Sequence, residues 1–350
     1  MKIVYAVLIF VPIAVGARLF HASPLAIFVL SALAIIPLAG VLGSATEELA
    51  AHTGPTLGGL LNSTLGNFAE LVIAAFALHA GLVGLVKASI TGSILGNLLL
   101  VMGAAQLAGG LKYKTQKINP KLAGLSATLL TVAVLGLVLP AIFHSLHPDP
   151  QRVATVNMSE WVSGLLILGY LLSIVYTMHT HKRLFHEGAE QSGHTDAPGW
   201  SLRRSVVILV ATALTIGVLS EILVSATGEA VKSLGLSEMF VGLILIPIIG
   251  NAAENSSAVL MAMKNRMDLA VGIAIGSSIQ VALVVAPLLV FMGVLFGKPM
   301  DLAFTTMEVV SVALAVAVAS SVIRDGESDW LEGAFLLIAY AAIAVAFFYF

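Results

Sequence analysis

Glu70 follows Asn67 by three residues in the run Gly66-Asn67-Phe68-Ala69-Glu70, and Glu254 follows Asn251 by three in Gly250-Asn251-Ala252-Ala253-Glu254. A spacing of three puts both side chains on one face of a helix, so each stretch offers a carboxylate beside a carboxamide. The stretches align at a constant offset of 184, and the same offset pairs Gly92-Ser93 with Gly276-Ser277 without a gap. Ser93 and Ser277 add hydroxyls, Asn97 and Gln280 add amides, and Ser256 and Ser278 are further candidates. All of these groups offer oxygen. No imidazole or thiolate belongs to the set, and the chain has no Cys. Oxygen cages suit hard cations, and Ca2+ takes about 6–8 oxygens. Two carboxylates neutralise one divalent ion. Once the ion leaves, two like charges face each other in a low dielectric, where desolvation and repulsion favour uptake of protons. Such a pair can trade one Ca2+ for protons.

The elements that hold these groups must lie in a membrane. Of the residues, 59% are hydrophobic and only 10% charged, whereas a soluble domain carries about 25% charge. The net charge of −2 leaves no basic footprint for nucleic acid. Eleven apolar runs are long enough to span a bilayer, with cores near 3–20, 25–50, 56–79, 82–109, 119–143, 157–180, 203–231, 238–263, 268–296, 302–322 and 329–349. The breaks between them carry turn chemistry, including His52-Thr53-Gly54-Pro55, Asn119-Pro120 and Gly297-Lys298-Pro299. The first run follows Lys2 as a signal peptide would, but Phe20-His21-Ala22 is a poor cleavage site, so a retained helix is expected. Twelve of the seventeen Lys and Arg residues fall on the side shared by the N-terminus and the connections near 52, 110–120, 181–204, 264–267 and 324–328. Lys87 and Arg152 are counted on the other side. The bias places the N-terminus in the cytoplasm and the C-terminus outside, in a cell membrane.

Setting the first helix aside leaves ten, in two sets of five. Five is odd, so the second set crosses in the opposite sense and the duplication is an inverted repeat. The expected division is an N-terminal helix over 1–22, a first five-helix repeat over 23–180, a cytoplasmic linker over 181–202 and a second, inverted repeat over 203–350. The linker carries His181, His186 and His194 with Glu187, Glu190 and Asp196, and reads as solvated, with metal sensing as the alternative. The fold class is therefore an all-α polytopic membrane protein. Gly66 and Gly250 loosen the helix just before each Asn. Broken helices free backbone carbonyls, which a membrane tolerates where they face protein, ions or a water-filled cavity. Ser44-Ala45-Thr46-Glu47-Glu48 also answers Ser225-Ala226-Thr227-Gly228-Glu229, three residues out of the main register. Glu48, Glu229 and Glu221 are candidates for an access path, a place at the membrane interface being the alternative. Glu160, Glu308 and Glu332 read as solvated or capping residues.

The segments 66-GNFAE-70 with 92-GSILGNLLLVMG-103, and 250-GNAAEN-255 with 276-GSSIQVALVVAPLLV-290, resemble the two alpha-repeats of the calcium/cation antiporter superfamily, most closely its Ca2+/H+ exchanger (CAX) branch. The resemblance implies that Glu70 and Glu254 are shared carriers of cation and proton. It also implies alternating access, with the helices around 25–50 and 203–231 sliding as a gate. One departure is Asn255, where many exchangers of this branch have His; a His role in proton coupling is in doubt here. The expected function is export of cytoplasmic Ca2+ against protons, with Ca2+ as transported substrate and no cofactor. A Na+-coupled Ca2+ exchanger or another divalent cation/H+ antiporter is the alternative, and a channel a more distant one. The partners are Ca2+, protons and the bilayer, and a homo-oligomer is left open. No HExxH, GxSxG or Cys supports an enzyme.

Overall fold

The computed structural model describes residues 8–147, 152–180 and 199–350. The chain forms α1 (Phe10–Leu19), α2 (Pro24–Leu65), α3 (Phe68–His79), α4 (Val83–Tyr113), α5 (Pro120–Leu146) and α6 (Val153–Thr180). The second half forms α7 (Leu202–Leu234), α8 (Glu238–Gly250), α9 (Ala252–Met263), α10 (Met267–Leu295), α11 (Thr306–Val322) and α12 (Trp330–Tyr349). Two short strands, β1 (Thr115–Lys117) and β2 (Glu327–Asp329), pair antiparallel. Among the described residues seven helices are long and apolar enough to cross a membrane, and the pair α8 and α9, bent by 62°, brings the number to eight when taken as one span. The three shorter apolar helices are α1, α3 and α11. The architecture is one peripheral helix and two inverted five-helix repeats.

The repeat shows in the helix boundaries themselves. The offset of 184 carries both ends of α3 onto those of α9, and the start of α4 onto that of α10. Each of the latter two helices contains a π-type turn, Gly96–Val101 in α4 and Val281–Val285 in α10, and the turns end at matched residues. A π-type turn inserts a residue and re-aims the side chains that follow.

One expected break is absent. The sequence suggests an interruption at His52-Thr53-Gly54-Pro55, yet α2 runs through it to Leu65. A proline costs a helix one backbone hydrogen bond, but its fixed φ is compatible with helical backbone. The second repeat does break at the corresponding place. There Gly235 adopts φ +66, which glycine reaches without a Cβ penalty, and closes the C-terminus of α7.

The centre of the molecule is α4 and α10. In α4 every side chain from Leu85 to Leu95 is buried. α4 crosses α8 at Gly92 and Gly242. A Cβ at 92 would overlap the Leu243 carbonyl, and one at 242 would meet Ala88 Cβ at 2.8 Å, so small residues set this close approach. The outer layer is α5, α6 and α12, whose leucines, valines and aromatics are widely exposed, as lipid contact requires.

Two clasps join the repeats. One is the β1–β2 ladder, which ties the α4–α5 connection to the α11–α12 connection. The other, at positions that the offset matches to β1, is ionic. Asp301 in the α10–α11 connection pairs with Lys87 of α4 and accepts from Arg152 Nη1 at 2.8 Å. Leu302 N–H also donates to Ser159 Oγ of α6. Glu308 and Glu332 form capping boxes with Thr305 and Asp329, the capping role expected of them.

Candidate cation site

Each helix break leaves an Asn between two half-helices. Asn67 (φ −90°, ψ 19°) separates α2 from α3, and Asn251 (φ −101°, ψ 8°) separates α8 from α9. Both sit in the sparsely populated bridge region, where backbone is often held for function. The glutamates follow in the first turns of α3 and α9, where helix N-termini favour negative charge.

The inverted arrangement brings the two stretches together across the repeat boundary. Glu70 Oε1 accepts from Ser93 Oγ of its own repeat and from Asn251 Nδ2 of the other, the latter at 2.8 Å. Gly250 makes room for this, because a Cβ there would stand 2.7 Å from Glu70 Cγ. Ser277 Oγ lies 2.7 Å from Glu254 Oε2 and 2.8 Å from Asn67 Oδ1. Asn67 Nδ2 in turn donates to Gln280 Oε1 at 2.7 Å. Glu70, Asn67, Asn251, Ser93 and Ser277 are buried, while Glu254 and Gln280 are half-buried. Among the described residues no group of three or more His, Cys, Asp or Glu converges on a metal position. The oxygen set is two carboxylates plus neutral hydroxyls and amides.

Other expected site residues stand apart. Asn97 is buried in the π-type turn of α4, and its Nδ2 has no partner. Gly66 ends the α2 side of the first break and is half-buried. Ser256 and Ser278 donate to carbonyls of their own helices, Ala252 O and Ala274 O. Glu221 and Glu229 are exposed on α7. Glu48 is engaged elsewhere: its Oε2 accepts from Trp200 N–H at 3.0 Å, while His52 Nε2 meets Trp200 O at 2.8 Å. The Arg204 guanidinium lies over the Trp200 ring. The linker residues His181, His186, Glu187, Glu190, His194 and Asp196 lie outside the described residues.

Lys87 is not a surface charge. The charge count places it on the same side as Arg152 and Lys298. In the structure it is buried on α4, bound to Asp301 and to Ala303 O at 2.9 Å. An ammonium inside an apolar segment needs a partner, and its partner lies 214 positions away, where no local pattern points. Burial alone would raise the Asp301 carboxyl, but Lys87 and then Arg152 outweigh it and hold Asp301 below the usual carboxylate range. Beside this triad, buried Glu308 also accepts from Thr91 Oγ1 at 3.2 Å.

Residues 23–179 and 204–349 match the family described as sodium/calcium exchanger protein. The chain belongs to this family. It groups there with proteins named Ca2+/H+ antiporters. One from Aphanothece halophytica is 43% identical over 99% of this chain and 96% of its own length. ChaA of Bacillus subtilis is 41% identical over 97% of this chain and 96% of its own. The solved structure titled native YfkE superposes with a TM-score of 0.86 at 37% identity, covering 99% of this chain and 100% of that one.

Proposed function

We propose that this member of the family moves Ca2+ out of the cytoplasm in exchange for protons, with Glu70 and Glu254 taking Ca2+ and H+ in turn by alternating access. The observation that carries this reading is the pairing across the break. A carboxylate from each inverted repeat is held among oxygen donors from both, Asn251 reaching Glu70 and Asn67 reaching Ser277 beside Glu254. Such a set fits a hard divalent cation, whose charge two carboxylates balance. The relatives named Ca2+/H+ antiporters support the choice of ions.

Proton counting supports the other half of the cycle. Ser277 Oγ stands within hydrogen-bond reach of both Glu254 Oε2 and Asn67 Oδ1, yet a hydroxyl has one proton to give. Both contacts are satisfied together when Glu254 carries a proton and donates it to Ser277, which then donates to Asn67. On this reading the conformer is proton-loaded, with Glu70 sealed and Glu254 half-open to the path by which ions arrive. The units that rock against each other are the proposed repeats over 23–180 and 203–350, with the N-terminus in the cytoplasm and the C-terminus outside. α2 and α7 form the gate, and the exposed Glu221 and Glu229 lie along it.

The test is Ca2+ uptake into proteoliposomes under an imposed pH gradient with Na+ absent. Uptake that a protonophore collapses is the expected result. Uptake that begins only when Na+ is supplied would replace protons by Na+ as the coupling ion.

A further inference from the structure

The chain just before α7 is fastened to α2 through its backbone. Glu48 and His52 stand four residues apart on α2 and so share a face. Glu48 Oε2 accepts from Trp200 N–H at 3.0 Å, and His52 Nε2 meets Trp200 O at 2.8 Å. A carbonyl only accepts, so the ring nitrogen is the donor. Both main-chain groups of one residue are thus held by two side chains of the other repeat. Gly199 allows the approach, since a Cβ there would stand 3.1 Å from Glu48 Oε1. Ser201 caps α7 by accepting from Arg204 N–H, and the Arg204 guanidinium lies over the Trp200 ring. The clasped residue is therefore tied to the first turn of α7.

The matched place in the other repeat has no such fastening. In the register that pairs 44–48 with 225–229, Glu229 answers Glu48, Ser233 answers His52 and Leu19 answers Trp200. Among the described residues the exposed Glu229 has no hydrogen-bond or ionic partner. Ser233 donates to Ala230 O of its own helix. Leu19 ends α1, and the backbone after it turns back onto α1: Phe20 N–H donates to Gly16 O and Ala22 N–H to Ala17 O. Bodies that rock against each other need a place where they stay joined, and hinges sit at loop or element-terminal residues. We infer that Glu48, His52 and Trp200 form the fixed pivot between α2 and α7, which stays closed through the transport cycle while the Glu229 end moves. This inference rests on the alternating-access reading above.

The chain has no Cys, so Glu48→Cys with Gly199→Cys can be bridged selectively by a short, reducible bifunctional thiol reagent. The bridged protein is expected to move Ca2+ in proteoliposomes at least as fast as the unbridged one. A bridge that stops transport until it is reduced overturns the inference, because the contact would then have to open. A second pair of variants separates hydrogen bonding from charge. Glu48→Gln with His52→Gln keeps an acceptor for Trp200 N–H and a donor for Trp200 O, and should hold turnover within about twofold of wild type. Glu48→Ala with His52→Ala removes both bonds and should lower turnover about tenfold, the factor that one lost hydrogen bond is worth. The Kd of the purified full chain for radiolabelled Ca2+ should stay within about twofold. Unchanged turnover in the Ala pair overturns the inference. So does an equal loss in the Gln pair, which would make Glu48 a charge on the ion path instead. Each of these failures leaves Ca2+/H+ exchange by the wild type untouched, whereas a wild type that moves no Ca2+ removes the underlying reading as well.

Discussion

The stretches 66–103 and 250–287 share a plan and differ in wiring. In the first, Glu70 is sealed and takes hydrogen bonds from Ser93 and, across the boundary, from Asn251. In the second, Glu254 is half-open and among the described residues meets its own Ser277, while Asn67 turns to Ser277 and Gln280 instead. Inversion supplies each carboxylate with the same kinds of neighbours. The repeats differ at Gly96 against Gln280, Asn97 against Val281 and Leu71 against Asn255, and their two carboxylates are unequally buried. In the proposed alternating-access cycle, a site that holds an ion and then releases it on the other side benefits from halves that do not respond alike.

The largest expected effect comes from removing either carboxylate. A carboxylate–cation attraction is worth about 4 kcal/mol per unit charge at 4 Å and an effective dielectric of 20, so binding weakens by roughly a thousandfold. Glu70→Gln and Glu254→Gln should both abolish Ca2+ transport in proteoliposomes while the purified proteins keep their melting temperature. Full transport by either variant would show that the halves are not merely unequal but that one is dispensable.

The two clasps extend the comparison away from the site. The β1–β2 ladder is backbone, whereas the matched clasp at Asp301 is charge. Asp301→Asn strands buried Lys87 without its counter-charge, a loss of about 3–5 kcal/mol. It should appear as a lower melting temperature in detergent. The pH dependence has a definite sign. Asp301 is held below its unfolded value by Lys87 and Arg152, so the wild-type contribution is complete above about pH 4, the ordinary Asp value. It is lost as pH falls through the lower, folded value. Asp301→Asn should remove that acid-side dependence, while the ladder contributes none.

Gly250 sharpens the contrast at smaller scale, because a residue of the second repeat shapes the carboxylate of the first. A Cβ at 250 would press on Glu70 Cγ at 2.7 Å. Gly250→Ala should cost about 1–3 kcal/mol, the usual price of overpacking, and weaken Ca2+ affinity by displacing Glu70. An unaltered Kd would mean that Glu70 can move aside and still bind.

Much of this was legible in advance, for a physical reason. The inverted repeat preserves an uninterrupted offset through both motifs, and helix ends follow that offset because the breaking and turning residues are copied with it. The paired Asn, Glu and Ser were legible for the same reason. What escaped depends on contacts distant in sequence or on turns with no composition signal. Lys87 has no visible counter-charge until Asp301 is folded against it. Trp200 has no motif that marks it as the partner of Glu48 and His52. Asn97 and Gln280 look alike as amides a turn beyond the serines. Gln280, however, precedes the π-type turn of α10, and Asn97 lies within that of α4. One joins the hydrogen-bonded set and the other does not. Pro55 reads as a break because proline usually is one, yet α2 carries it, since its fixed φ is compatible with a helix.

The smallest expected effect tests whether the backbone clasp also steadies the helix that carries Glu254. Gln116 points from β1 into the space over Gly109, where a Cβ would overlap its Oε1. Its Nε2 donates to Ala262 O at 3.0 Å and to Asn265 Oδ1 at 2.9 Å. Lys112 and Tyr113 both donate to Met263 O beside it. These groups together satisfy the carbonyls left free at the C-terminus of α9. Gln116→Leu removes one donor from this cluster but leaves Lys112, Tyr113 and the β ladder in place. It should therefore cost only about 1 kcal/mol and leave Ca2+ affinity within about twofold of wild type, since that energy is spread over the whole fold. A much larger loss of Ca2+ affinity than of stability would mean that the clasp positions Glu254 as well as closing the fold. The charged clasp and the backbone clasp would then differ in purpose as well as in chemistry.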